Sequence, residues 1–164
     1  MSPIMSATMS PTKERLTVLV ADKDKDDRAF IKSAWVKARA ANPLRFVDDG
    51  EELTEYLDHS GRYSDPASAP SPAVILLDLS TSKKAAREVL RAIKANPDVC
   101  QIPVIILTSS QAEEDTWRGY DLGVNSYIRK PVTFVALADV LRAMGKYSIE
   151  IVDVAPDGNS STPD

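Results

Sequence analysis

The chain has one cysteine, Cys100, and one histidine, His59. A lone thiol forms no internal disulfide and no cysteine metal cluster, so a reducing, cytoplasmic compartment is the expected setting. A lone histidine excludes zinc sites built from several imidazoles. His59 precedes a Ser60-Gly61 turn signal, far from any strand end, and is expected to be solvated rather than part of a triad. No apolar run approaches the ~20 residues that a bilayer-spanning helix needs. Met1 to Pro11 lacks the basic segment and apolar stretch of a secretory leader. There is no basic block and the formal net charge is −4, which argues against nucleic acid as a partner.

What remains is enough apolar material for one core. The 164 residues are 43% hydrophobic, which suits a single domain with tails. The most informative stretch is Ala73-Val74-Ile75-Leu76-Leu77-Asp78-Leu79. An unbroken apolar run of this length reads as a strand buried on both faces. Asp78 ends it, at the edge where open α/β sheets hold their chemistry.

Around it, strands and helices alternate. Leu16 to Ala21 reads as a first strand, and Arg28 to Ala40 as a helix with Phe30, Ile31, Ala34, Trp35 and Ala38 inward, capped by Asp24 or Asp26. Leu44 to Val47 is a short strand, and Asp49-Gly50 opens a helix carrying Leu53, Tyr56 and Leu57. Ser60 to Pro72, with its prolines, is a long loop. After the central strand come a helix over Lys84–Ala95, a strand over Pro103–Thr108 and a helix over Ala112–Leu122 with Gly123 as its C-cap. A strand over Asn125–Arg129 and a helix over Val132–Met144 complete the series. The pattern predicts an α/β fold: a doubly wound, five-stranded parallel sheet. Ser148 to Val154 then alternates like an extra C-terminal edge strand.

The strand ends share one edge in such a sheet. They supply Asp22, Lys23 and Asp24, then Asp78, then Thr108 with Ser109 and Ser110, then Lys130 before Pro131. A carboxylate nucleophile, a second acid for a hard cation such as Mg²⁺, and a hydroxyl and ammonium to compensate phosphate charge make a phosphoryl-acceptor set.

At these residues the chain resembles the response-regulator receiver family, whose fold is the flavodoxin-like one. The stretches that carry the resemblance are VLVADKDKDDR, VILLDL, IPVIILTSS and Tyr127-Ile128-Arg129-Lys130-Pro131. The resemblance covers residues 15–145 as the receiver domain; composition reads 1–14 and 155–164 as disordered tails, and the alternation reads 146–154 as an arm strand. The resemblance implies Asp78 as phosphoacceptor, with Thr108 and Lys130 assisting, and Thr108 and Tyr127 as the switch pair. It implies Mg²⁺ held by Asp22, Asp78 and the Ser80 backbone carbonyl, with Asp24 as a substitute ligand. The partner it implies is a sensor histidine kinase, and no enzymatic activity is expected beyond this transfer. EEDTWRGYDLGVNSYIRKP, the long loop and the extra strand resemble the stand-alone regulators of bacterial phytochrome kinases.

Two departures matter. Lys23 stands where the family carries a metal-binding acid, and Ser80 to Ala86 lacks the family's Pro and Gly. Mg²⁺ is therefore expected to bind weakly. Opposite charges ~4 Å apart at an effective dielectric of ~20 attract by roughly 4 kcal/mol, so a lysine reaching Asp78 competes with the metal. A second reading is a degenerate, phosphate-independent interaction module on the same fold. A third, an aspartyl-phosphate hydrolase, wants an acid two residues after Asp78 and meets Ser80. Tyr147 to Val154 has one apolar face; it folds back on its own domain, or crosses to a second copy and makes a homodimer with the face of the fourth helix, fifth strand and fifth helix.

Overall fold

Aliphatic and β-branched runs form one parallel sheet, and polar-capped amphipathic segments form the helices that cover it. The computed structural model describes residues 17–37, 43–78 and 83–143. The strands are β1 (Thr17–Ala21), β2 (Leu44–Val47), β3 (Pro72–Asp78), β4 (Val104–Thr108) and β5 (Ser126–Arg129). The helices are α1 (Lys25–Lys37), α2 (Gly50–Asp58), α3 (Lys83–Ala95), α4 (Gln111–Tyr120) and α5 (Phe134–Ala143). The sheet order is β2-β1-β3-β4-β5 and every pair is parallel, as the alternation predicts. Chain order reverses between β1 and β3, which opens a crevice at their carboxyl ends.

Period-two alternation sorts the core into two layers. Leu19, Ile75, Leu77, Val104 and Ile106 meet Leu53 and Tyr56 of α2, Leu90 and Ile93 of α3, and Trp117 of α4. Val18, Val20, Val74, Leu76, Ile105 and Leu107 meet Ile31 and Trp35 of α1 and Leu137 of α5. Residues 75, 76, 105 and 106 are fully buried, which is why their run carries no polar alternation. Burial of each such side chain contributes about 1.5–3 kcal/mol.

The helix ends differ from the expected ones for local reasons. Asp24 caps α1: its Oδ1 accepts the Asp26 and Asp27 N–H groups at 2.8 and 3.0 Å. The helix therefore starts at Lys25, earlier than Arg28. Ile31 and Trp35 form its inward stripe, whereas Phe30, expected inward, is 44% exposed. α2 is capped by Asp49, whose Oδ1 accepts the Glu52 N–H at 2.9 Å. α2 ends on His59 at φ 54. That imidazole is exposed, as expected, but its Nε2 lies 2.9 Å from the Ala69 carbonyl and ties the long loop down. The loop holds two short 3₁₀ turns, Gly61–Tyr63 and Pro66–Ser68, and Tyr56 donates to the Pro70 carbonyl at 2.7 Å. α4 ends on Asp121 at φ 51, and Gly123 is not its C-cap. Aspartate tolerates the left-handed region, so the helix stops two residues before the glycine. The expected tails at 1–14 and 155–164 and the arm at 146–154 lie outside the described residues.

Candidate functional site

The same alternation that builds the core positions the charged groups. Asp22 follows Val18 and Val20, Asp78 follows Val74 and Leu76, and Lys130 follows Ile128, so all three belong to the layer of α1 and α5. The ladder continues past β5, since the Lys130 N–H donates to the Thr108 carbonyl at 2.8 Å. The Lys130-Pro131 peptide is cis. Lys130 Nζ stands 3.0 Å from Asp78 Oδ1 and 3.7 Å from Asp22 Oδ2.

A third carboxylate joins them that the strand ends do not supply. Asp27, in the first turn of α1, accepts from Lys130 Nζ at 2.7 Å. Oxygens of Asp22, Asp27 and Asp78 lie within 4.8 Å of one another. The signal was in the spacing: Asp27, Ile31 and Trp35 recur at four-residue intervals, so the inward stripe of α1 runs on into the acidic edge.

The cluster is short of positive charge, with three carboxylates and one ammonium. The Asp22 side chain is fully buried. Its Oδ1 accepts the Asp24 N–H at 2.9 Å, and its Oδ2 has no hydrogen-bond partner. Burial pushes the Asp22 carboxyl up to about 7; Asp78 and Asp27 add to the push, while the Asp24 N–H and Lys130 oppose it. Burial works against the Lys130 ammonium, but its bonds to Asp27 and Asp78 and the field of Asp22 outweigh that and hold its pKa above the ordinary lysine value. Clustered carboxylate oxygens, one of them buried without a hydrogen bond, are a donor set that suits a hard divalent cation.

Other expected ligands are placed elsewhere. Asp24 is exposed and its Oδ1 is engaged in capping α1. Ser80 lies outside the described residues. Lys23 is exposed and lines a cavity of about 310 Å³ with Asp48, Asp49, Glu51 and Asp78, alongside Ala21 and Leu77 of the other layer. Arg28, unremarked in the sequence, donates from Nε to the Asp22 carbonyl and pairs with Asp48 at 2.6 Å. Its guanidinium rests 5.3 Å from the Phe46 ring, so it pins the loop that carries Asp22.

Thr108 follows Val104 and Ile106 and so faces the layer of α2, α3 and α4. It is fully buried, and its Oγ1 has no hydrogen-bond partner. Tyr127 packs half-buried against the same layer. The Arg118 guanidinium lies 4.3 Å over its ring and is held by Glu114 at 2.7 Å. Burial pushes the Tyr127 hydroxyl up.

The geometry agrees with known proteins. The family described as the response regulator receiver domain matches residues 18–142. Response regulator Rcp1 of Synechocystis sp. is 32% identical over 90% of this chain and 97% of its own. Its Mn²⁺-bound structure superposes with a TM-score of 0.62, covering 82% of this chain and 94% of that one. The bacteriophytochrome response regulator AtBRR is 32% identical, with a TM-score of 0.75 over 85% of this chain and 99% of that one. The phosphorylated cyanobacterial phytochrome response regulator RcpA is 34% identical, with a TM-score of 0.62 over 79% and 91%. Among the described residues, no helix is long and apolar enough to cross a membrane. Fold, acidic edge and relatives agree: this chain belongs to the response-regulator receiver family and, within it, resembles the regulators of bacterial phytochromes.

Proposed function

We propose that this receiver takes a phosphoryl group from a sensor histidine kinase of the phytochrome type onto Asp78. Asp78 Oδ1 forms the new P–O bond as the P–N bond of the donor phosphohistidine breaks. The observation that carries this reading is Asp78 at the carboxyl edge, 3.0 Å from the Lys130 ammonium and beside the buried Asp22 Oδ2, which has no hydrogen-bond partner and stands 3.7 Å from the same ammonium. Lys130 is the group placed to compensate the phosphoryl oxygens, and the Thr108 hydroxyl, at the end of the adjoining strand β4, would have to turn toward them to assist. Mg²⁺ would be held by Asp22 and Asp78, with the Ser80 carbonyl as the third ligand that the resemblance implies, and its charge would offset that of the transferring group. With Lys23 in place of an acid, its affinity is below that of a receiver with two adjacent acids. Tyr127, under Arg118 on the α4–β5 surface, transmits the change to partner proteins.

The test is intact mass after incubation with a small phosphodonor. The gain of one acid-labile phosphoryl group is expected with Mg²⁺ and not with a chelator. A phosphate-independent interaction module is favoured by Lys23 standing at a usual metal-ligand position and lining a cavity that Asp78 also lines. Unchanged mass under both conditions would select that reading.

The apolar face of residues 146–154 supports a homodimer in which this arm crosses to the α4–β5–α5 face of a second copy; Val135 on α5 is an exposed apolar side chain, at 67%. Deleting residues 146–164 should convert a dimer at micromolar concentration into a folded monomer by sedimentation. A dimeric truncated protein would remove the arm from the interface.

A further inference from the structure

The ligand set implied by resemblance leaves a gap at Lys23. The structure points to what fills it. Asp24 is engaged in capping α1, and Asp48 is paired with Arg28 at 2.6 Å. Asp27 alone among these nearby acids has an oxygen grouped with those of Asp22 and Asp78. It reaches this place from α1, by the helical period that also buries Ile31 and Trp35.

Two further observations within the cluster point to a cation there. Asp22 Oδ2 is buried and has no hydrogen-bond partner, an arrangement that is costly unless something is to bind there. And a cation already stands among the three acids: Lys130 Nζ, at 2.7, 3.0 and 3.7 Å from Asp27, Asp78 and Asp22. The ammonium offers three donors and one charge, so it leaves the cluster with a net negative charge. Asp27 keeps a side-chain exposure of 31%, and with Asp22 it lines a groove of about 190 Å³ that gives an ion a way in.

We infer that Asp27 is a ligand of the divalent cation, standing in for the acid that Lys23 replaces, and that the ion and Lys130 compete for the same three carboxylates. This rests on the metal-assisted receiver reading above. In that arrangement Asp27 has two duties: it neutralises Lys130 when the metal is away, and it binds the metal when Lys130 is displaced.

The test uses the full chain and Mn²⁺ as the probe, with free ion counted by its paramagnetic resonance signal. Asp27→Asn should weaken Mn²⁺ binding about tenfold or more. The same loss should appear when Asp27→Asn is added to Lys130→Ala, because a ligand is lost whether or not the lysine is present. Asp26→Asn removes a charge one residue away that lines the same groove but has no oxygen grouped with those of Asp22, Asp27 and Asp78, and should change binding far less. If the effect of Asp27→Asn disappears in the Lys130→Ala background, Asp27 acts only through the lysine and the inference is overturned. An Asp26→Asn loss as large as that of Asp27→Asn overturns it too, by reducing the effect to general field. Unchanged binding in Asp27→Asn, with Mn²⁺ bound by the wild-type protein, removes Asp27 alone. Absence of Mn²⁺ binding in the wild-type protein removes the metal reading itself, and the inference with it.

Discussion

Asp78→Asn is expected to abolish acid-labile phosphate completely while leaving the chain folded. Asparagine keeps the shape of the side chain but offers a neutral amide in place of the carboxylate nucleophile. Neighbouring acids are poor substitutes. Asp22 is fully buried, with one oxygen held by the Asp24 N–H and its carboxyl biased toward the protonated form. Asp27 is turned to Lys130 at 2.7 Å and sits on a helix rather than at a strand end. The fold should survive, because the substitution removes one of three crowded negative charges and Lys130 keeps Asp27 as a partner. Intact mass after phosphodonor treatment, before and after acid, is the measurement. Acid-labile label remaining in Asp78→Asn would place the acceptor on another carboxylate.

Asp22→Asn should make the metal-free protein more stable at pH 8 and erase a pH slope. The Asp22 carboxyl is raised from 3.8 to about 7, chiefly by burial. Between those values the folded chain keeps a proton that the unfolded chain has released. The stabilisation from that proton is complete below about pH 4 and is lost as pH rises through about 7. In a chelator the wild-type melting temperature should therefore fall from pH 5 to pH 8, by an amount on the order of 1–4 kcal/mol in stability. The variant has no charge to desolvate at that position and should show a flatter profile. Mg²⁺ should restore wild-type stability at pH 8 by binding the folded state, and should do little for Asp22→Asn. Equal pH slopes in the two proteins would show that another group carries the effect.

These two experiments probe groups that differ in how plainly the chain announced them. Asp78 and Lys130 were legible because a strand has a period of two and an end, and the last residue of a buried run has one place to go. Thr108, the last residue of β4, was placed for the same reason, whereas Tyr127 lies inside β5 and was named by resemblance alone. Asp27 was not picked out, since six acids and lysines crowd the segment after β1 and strand ends alone do not rank them. The helical register with Ile31 and Trp35 ranks them, once Asp24 is known to start the helix. Helix ends were the weakest point: Asp121 and His59 take left-handed conformations more often assigned to glycine, at a cost that neighbouring bonds offset. Lys23 was read as standing at a usual metal-ligand position; it is exposed, just past the end of β1, and lines a cavity that Asp78 also lines.

The division of the core into two layers also separates its two indoles. Trp35 lies with α1 and α5 behind the acidic cluster, and Trp117 lies with α2, α3 and α4 behind Thr108 and Tyr127. The chain has two tryptophans in all, so each side of the sheet carries one intrinsic fluorophore. Trp117 is fully enclosed, with its indole N–H unpaired, and Trp35 is 6% exposed. Replacing one or the other by Phe yields two reporters from one protein. Emission from Trp35 follows the layer that holds the acids and the lysine, while emission from Trp117 follows the layer beneath the hydroxyl and the aromatic switch. Whether cation binding and switching are one event or two thus becomes a question of whether two light signals move together.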